Sequence, residues 1–276
     1  MLKPLMLGGL LLGVSVSASA AGFVYTDFSD VSGLQLNGNA IQNGNTLQLT
    51  PSAFGQSGSA FTLLSTPLGE LATFSTYFQF RISNSDGYWD VDGPGADGLV
   101  FVIQPLANNV GGAGGGIGYN GIGNSLGIEF DTWQNGVGEF NDPNGNHVGV
   151  DLNGNLISVA TAIEPTLFNN GEVWNAWIEY DGATGQLDVR WSQDASRPAA
   201  SQLSYNVDLL SVLGSQTAYI GFTAGTGYAY NQHEILSWQY SDTIAAVPEP
   251  SEALLLSAGT MLLAGWVARR RQSSRS

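Results

Sequence analysis

Through the middle of the chain, apolar and polar residues alternate with a period of two. In 74–83 (FSTYFQFRIS) and 174–192 (WNAWIEYDGATGQLDVRWS) apolar side chains fall on one face and polar ones on the other. Strands lining a core on one side show this pattern. Shorter runs of the same kind occur at 23–28, 45–50, 60–65, 98–105, 218–225 and 233–241, separated by turn residues. The turn Asp181-Gly-Ala-Thr-Gly185 predicts a hairpin, and only 207–214 (VDLLSVLG) resembles a helical turn. Many strands with sparse helix predict an all-β sandwich of two antiparallel sheets, one domain over 22–246.

Two alternating runs flank a polar loop in 126–151 (LGIEFDTWQNGVGEFNDPNGNHVGVD). In the first, Ile128, Phe130 and Thr132 share one face and Glu129, Asp131 and Trp133 the other. In the second, Val148, Val150 and Leu152 oppose His147, Gly149 and Asp151. Paired as a hairpin, the runs bring Glu129, Asp131 and His147 to one surface. The loop adds Asn135, Asn141, Asp142, Asn144 and Asn146. Crowded together, Glu129, Asp131 and Asp142 repel one another unless a cation sits among them. A hard ion such as Ca2+ takes about six to eight oxygens; Asp131, Asn135, Asp142 and the Trp133 carbonyl offer four groups. A nitrogen donor suits Mn2+ or a similar transition ion, for which His147, Glu129, Asp131 and Asp142 form a set, with Asp131 and Asp142 bridging both metals. The plain alternative is a solvated acidic loop beside a surface histidine. A helix-flanked calcium loop fits poorly, because His147 replaces its glycine and Asn153 its closing glutamate.

Glu129-Phe-Asp131-Thr-Trp133-Gln-Asn135, Asp142-Pro143 and His147-Val-Gly-Val-Asp151 resemble the metal-binding segment of the legume (L-type) lectins. The resemblance covers nearly all of 23–242, with a somewhat longer stretch over 135–142. It implies a concanavalin-like jelly-roll, Ca2+ and Mn2+ on the residues just named, and a carbohydrate ligand. It also implies that Asp97, in Ala96-Asp97-Gly98, follows a cis peptide bond and accepts hydrogen bonds from sugar hydroxyls. A backbone N–H of the glycine-rich run, at Gly115 or Gly116, is implied to reach the sugar. In the same way Trp133 stacks on the sugar ring, Asn135 donates from its amide, and Tyr228 and Ala229 form the last wall. The polar, aromatic segment 88–95 adds to that rim, and pairing of flat sheets into a homodimer is expected.

Other readings compete on the residues themselves. A lone aspartate entering an apolar strand is ordinarily a turn former or cap. Gly116-Ile-Gly118-Tyr-Asn-Gly121 matches a dinucleotide fingerprint without its strand–turn–helix setting. Gly123-Asn-Ser125-Leu-Gly127 matches a nucleophile elbow, but a strand follows it instead of a helix. Glu129-Phe-Asp131-Thr-Trp-Gln134 resembles the Glu-x-Asp-x-x-Glu signature of laminarinase-like glycoside hydrolases. Its last acid is glutamine here, and that hydrolysis needs two carboxyls in distinct roles. A non-catalytic lectin is the reading adopted, with the hydrolase and a structural exopolysaccharide-matrix protein as alternatives.

Charge narrows the partners. Between Gly22 and Ala246 three arginines face 21 carboxylates, which excludes nucleic-acid binding and repels acidic polysaccharides unless metals intervene. The absence of cysteine excludes disulfides and thiolate metal sites. Residues 1–21, with Lys3, an apolar run over 5–16 and Ala18-Ser-Ala20, read as a secretory signal peptide. Residues 247–276 combine Val247-Pro-Glu-Pro250, an apolar run over 253–267 and Arg269-Arg-Arg271. As a helix that run reaches about 23 Å against a hydrocarbon core of about 30 Å, so the plain reading is a short tail anchor. The layout resembles the PEP-CTERM sorting signal. That implies transient inner-membrane anchoring, cleavage by an exosortase-type protease, and a protein finally outside a Gram-negative cell.

Overall fold

A computed structural model describes residues 22–106 and 109–244. The signal-peptide and sorting-signal readings fall outside the described residues. Two antiparallel sheets carry the fold. The first runs, in spatial order, Leu203–Asn206, Gln186–Ser192, Val173–Asp181, Phe74–Gly87, Ala229–Ser241, Thr46–Thr50 and Ile41–Asn43, with Gly22–Tyr25 added along Ala229–Ser241. The second runs Asn155–Ile163, His147–Leu152, Leu126–Asp131, Gly98–Gln104, Thr217–Gly225, Ser57–Thr62 and Leu34–Gly38. Spatial neighbours such as Gly98–Gln104 and Thr217–Gly225 are far apart in sequence, as a jelly-roll requires. The expected helical turn is present at Leu209–Leu213, capped by Asp208 Oδ1, which accepts the Ser211 N–H at 3.0 Å.

Alternation fills the space between the sheets. Phe78 and Phe222 meet at 4.9 Å and Phe222 and Trp238 at 4.8 Å, both edge to face, within one core that includes Leu47, Ile178, Val189 and Ile235. A core of this size needs no disulfide. Gly98–Gln104 is buried on both faces. Leu99, Phe101 and Ile103 enter the main core, while Val100 and Val102 lie under Ile117, Tyr119 and Ile122. The glycine-rich segment therefore folds over the outer face of the second sheet. Gly127 permits this, since a Cβ there would sit 2.9 Å from the Tyr119 ring.

The structure departs from the sequence pattern in two places. Leu34–Gly38, Ile41–Asn43, Asn155–Ile163 and Leu203–Asn206 are strands outside the runs identified above. All four lie at sheet edges, where little burial is demanded. The first alternating run also stops at Asp131. Trp133 leaves the strand in a bend, its N–H bonded to Asp131 Oδ1 at 2.7 Å, so it does not continue the face of Glu129 and Asp131.

Candidate functional site

The expected hairpin forms, with Asp131 opposite His147 and Glu129 opposite Gly149. His147 is fully buried; its Nε2 lies 3.2 Å from Glu129 Oε1 and its Nδ1 3.2 Å from the Asn144 carbonyl. An Nδ1–H donated to that carbonyl leaves the Nε2 lone pair directed at the carboxylates. Gly149 is what makes room. A Cβ at that position would meet Glu129 Oε1 and Ser158 Oγ at 2.2 Å each. Glu129 Oε1 also accepts from Ser158 Oγ at 2.6 Å, and that hydroxyl lies 2.8 Å from Asp151 Oδ1.

The 133–146 loop is closed by Asn135 and Asp142. The Asn135 N–H donates to Asp142 Oδ2 at 2.6 Å, and its carbonyl accepts the Asp142 N–H at 3.1 Å. Asn135 Oδ1 is buried without a partner among the described residues. Of the other loop amides, Asn146 is structural. Its Nδ2 holds the carbonyls of Glu164 and Thr166, and its Oδ1 accepts the Phe168 N–H.

Asp97 closes the site from the neighbouring strand. The Ala96–Asp97 peptide is cis. The Asp97 N–H bonds to Gly225 O at 3.1 Å, and its carbonyl accepts the Thr132 N–H at 3.0 Å. Asn231, with its amide oriented as its surroundings require, accepts the Ala96 N–H at 3.0 Å. Asp97 Oδ2 is buried with no side-chain partner among the described residues, close to Gly227. Of the two candidate glycines, Gly115 abuts the Asn135 amide, whereas Gly116 donates its N–H to Ala113 O at 3.3 Å. Tyr228 is two-thirds exposed beside this group, while the Ala229 methyl is buried and its carbonyl accepts the Gly227 N–H.

Electrostatics sets this patch apart. Burial, with the charge of Glu139 adding to it, pushes the Asp97 carboxyl up to about 8. Burial raises Asp142 to about 6 against the opposing Asn135 N–H and His147. Asp131 stands well above the usual carboxylate range through burial first, then the charges of Glu129 and Asp142. Asp151 is raised in the same way, by burial and then Glu129. No arginine salt bridge among the described residues reaches any of these groups.

Such a set fits a divalent cation: buried acids lacking a basic partner, orphaned oxygens on Asn135 and Asp97, an oriented imidazole, and a cavity of about 140 Å³ lined by Asp142, His147 and Ser158. The side chains do not already close on one point, and among the described residues no three carboxylates or imidazoles stand as a formed cage. Asp131 and Asp142 instead cap the N–H groups of Trp133 and Asn135. Sequence reasoning missed Ser158, Asn231 and the burial of Asp151. The alternation that placed Asp151 beside His147 and Gly149 was the one available signal.

Fold and site together define a lectin-type sandwich, and comparison with known proteins fixes the family. The legume lectin domain profile matches residues 20–255, and the chain belongs to that family. It is 32% identical over 209 residues to the L-type lectin-domain containing receptor kinase VIII.1 of Arabidopsis thaliana, covering 74% of this chain and 27% of the relative. It is 34% identical over 186 residues to the seed lectin of Styphnolobium japonicum, covering 64% of this chain and 59% of the relative. The chain thus spans less than two thirds of either relative. Among solved structures it resembles a lectin from Bauhinia forficata in complex with GalNAc, with a TM-score of 0.68, 26% identity and coverage of 81% of this chain and 98% of that one. The metal-free form of lectin I-B4 from Griffonia simplicifolia gives a TM-score of 0.67 at 28% identity, covering 80% and 98%.

Proposed function

We propose that this protein is a secreted, metal-dependent, non-catalytic lectin that binds extracellular polysaccharide or cell-surface glycans. The observation that carries the reading is Asp97: a buried carboxyl whose Oδ2 has no side-chain partner among the described residues and faces only the Gly227 backbone, beside the Gly115–Asn135 contact. Such an oxygen is ready to accept sugar hydroxyls, and a buried acceptor left unmatched is costly. Asn135 Nδ2 donates to the same ligand, Gly115 lets the backbone approach it, and Trp133 and Tyr228 supply aromatic surface.

Glu129, Asp131, Asp142 and His147 would hold Mn2+ or a similar transition ion. Asp131, the Trp133 carbonyl, Asn135 and Asp142 would hold Ca2+. The ions supply positive charge that offsets the buried acids and fixes the 133–146 loop. Glu129, bonded to Ser158 and beside His147, is a ligand in this reading and has no nucleophilic role. A homodimer, export, and trimming of the tail by an exosortase-type protease complete the proposal, supported by the family resemblance and the sequence of the two termini.

A glycan array probed with and without chelator tests it. Binding that is lost on chelation and restored by Ca2+ and Mn2+ is expected, with no reducing ends released from any bound polysaccharide. Unchanged binding in chelator overturns the metal assignment. Turnover that disappears in Glu129→Gln while metal binding survives promotes the hydrolase.

A further inference from the structure

Ala229–Ser241 starts beside the Asp97 site and runs 13 residues to the opposite end of the sandwich. There a groove of about 580 Å³ opens between the sheets. Phe23, Tyr25 and Tyr240 line it from the first sheet, and Leu63, Leu64 and Pro67 from the second. Phe23 stacks on Tyr240 at 5.5 Å and meets Tyr25 edge to face at 5.7 Å. Leu63 and Leu64 are 47% and 83% exposed, so apolar surface is left open to water. Tyr240 is only 4% exposed, and its hydroxyl has no hydrogen-bond partner among the described residues. Burial, with Asp242 adding to it, raises the Tyr240 pKa, so that hydroxyl is a buried proton donor lacking an acceptor. The chain leaves the sheet at the same place. Gly22, in the groove wall, stands opposite Ser241. Ile244, three residues further, is the last described residue, and Val247-Pro-Glu-Pro250 follows directly in the sequence.

We propose that this groove docks the segment Val247–Pro250 of the same chain. Val247 is six residues past Ser241, a reach of up to about 20 Å for extended chain. Proline fixes its own φ and turns the residue before it away from helix, so Val-Pro-Glu-Pro favours the extended polyproline form. That form makes no internal hydrogen bonds and keeps its carbonyls free. Aromatic-lined grooves recognise it by packing rings on the prolines. Phe23 and Tyr25 supply the rings, and the Tyr240 hydroxyl donates to a carbonyl of the segment. Leu64 marks the open rim, where Glu249 stays in water. A short tether gives the segment an effective concentration on the order of millimolar, so a groove of this size suffices to hold it. Docked there, the segment covers rings and leucines otherwise in contact with water.

The chain has no cysteine, so engineered pairs report proximity without background. In the full chain carrying Leu64→Cys and Val247→Cys, mild oxidation should join the two within one molecule. Non-reducing gels and mass spectrometry of the linked peptides read the product. The pair Val137→Cys and Val247→Cys sets the rate of chance encounter, since Val137 is fully exposed in the 133–146 loop beside Asn135. The first pair should oxidise about tenfold faster than this control. Tyr240→Phe, which keeps the ring and removes the hydroxyl, should slow the first pair by about threefold to tenfold, the worth of one hydrogen bond. Pro248→Gly with Pro250→Gly should slow it as well. Equal rates for the two pairs overturn the docking. So does a link formed only between chains, which gives the groove to the tail of a second copy. A rate unchanged by Tyr240→Phe and by the proline changes also overturns it, because proximity would then come from the tether alone.

Discussion

The outer face of the first sheet and the outer face of the second handle charge in opposite ways. On the first, the three arginines between Gly22 and Ala246 are all matched. Arg81 pairs with Glu234 at 2.7 Å, Arg190 with Glu179 at 2.8 Å, and Arg197 reaches the same Glu179. On the second, Asp97, Glu129, Asp131 and Asp151 are buried to at least the same degree, with His147 as the one neighbouring base. A matched face is self-sufficient and mainly holds the sheet together. An unmatched one is costly until something from outside neutralises it. The distribution of arginine thus separates scaffold from site in a molecule whose faces are both polar.

The largest effect expected from breaking this contrast is on the matched face. Glu179→Ala strands two guanidiniums and should destabilise the fold by about 3 kcal/mol, at the low end because Asp188 remains 3.6 Å from Arg190. Urea denaturation reads the loss, and glycan binding of the folded fraction should not change. On the unmatched face Asp97→Ala removes a buried carboxyl without a matching charge, so it should not lower stability, and it should remove about 1.5–3 kcal/mol of binding. Against a monosaccharide affinity near millimolar, about −4 kcal/mol, titration should then detect no binding.

The pH dependence of the chelated protein sharpens the comparison. Asp97 and Asp142 have folded pKa values of about 8 and about 6, above their unfolded values, so the folded chain binds the extra protons. Stability without metal should fall as pH rises from about 4 through 6 to 8. Thermal melts of the chelated protein should give a lower midpoint at pH 8 than at pH 5. With metals bound the trend should reverse, because the ligands must be deprotonated. A chelated protein equally stable at both pH values would show that these acids are better solvated than their burial implies. The smallest effect is Trp133→Ala, expected to weaken sugar binding by about 0.5–1.5 kcal/mol through lost ring contact, measurable by titration.

What the sequence revealed follows the same division. Long strands with aromatic alternation were legible because each must bury one full face, and the convergence of Glu129, Asp131 and His147 on one surface followed from alternation on both sides of one loop, whereas the register that sets Asp131 opposite His147 is seen only in the fold. Edge strands such as Leu34–Gly38 and Leu203–Asn206 were not, since each alternates over only four or five residues and offers just two apolar side chains to bury. Nor could local pattern show that Trp133 turns out of its strand, or that Asn231 supports the Ala96 N–H. Those depend on hydrogen bonds between segments that meet only in the finished fold.

The loop Gly225–Ala229 has a consequence for the order of events during synthesis. Its backbone is bonded to Gly55, Tyr88, Asp97 and Gly114, each more than a hundred residues upstream. Such contacts are closed late, because the chain between them must first be ordered. A nascent chain that has emerged as far as the Leu126–Leu152 hairpin therefore still has Gly55, Tyr88 and Asp97 without these partners. On the proposed lectin reading, a chain stopped before residue 225 should therefore be unable to engage sugar, however much of the second sheet has already paired.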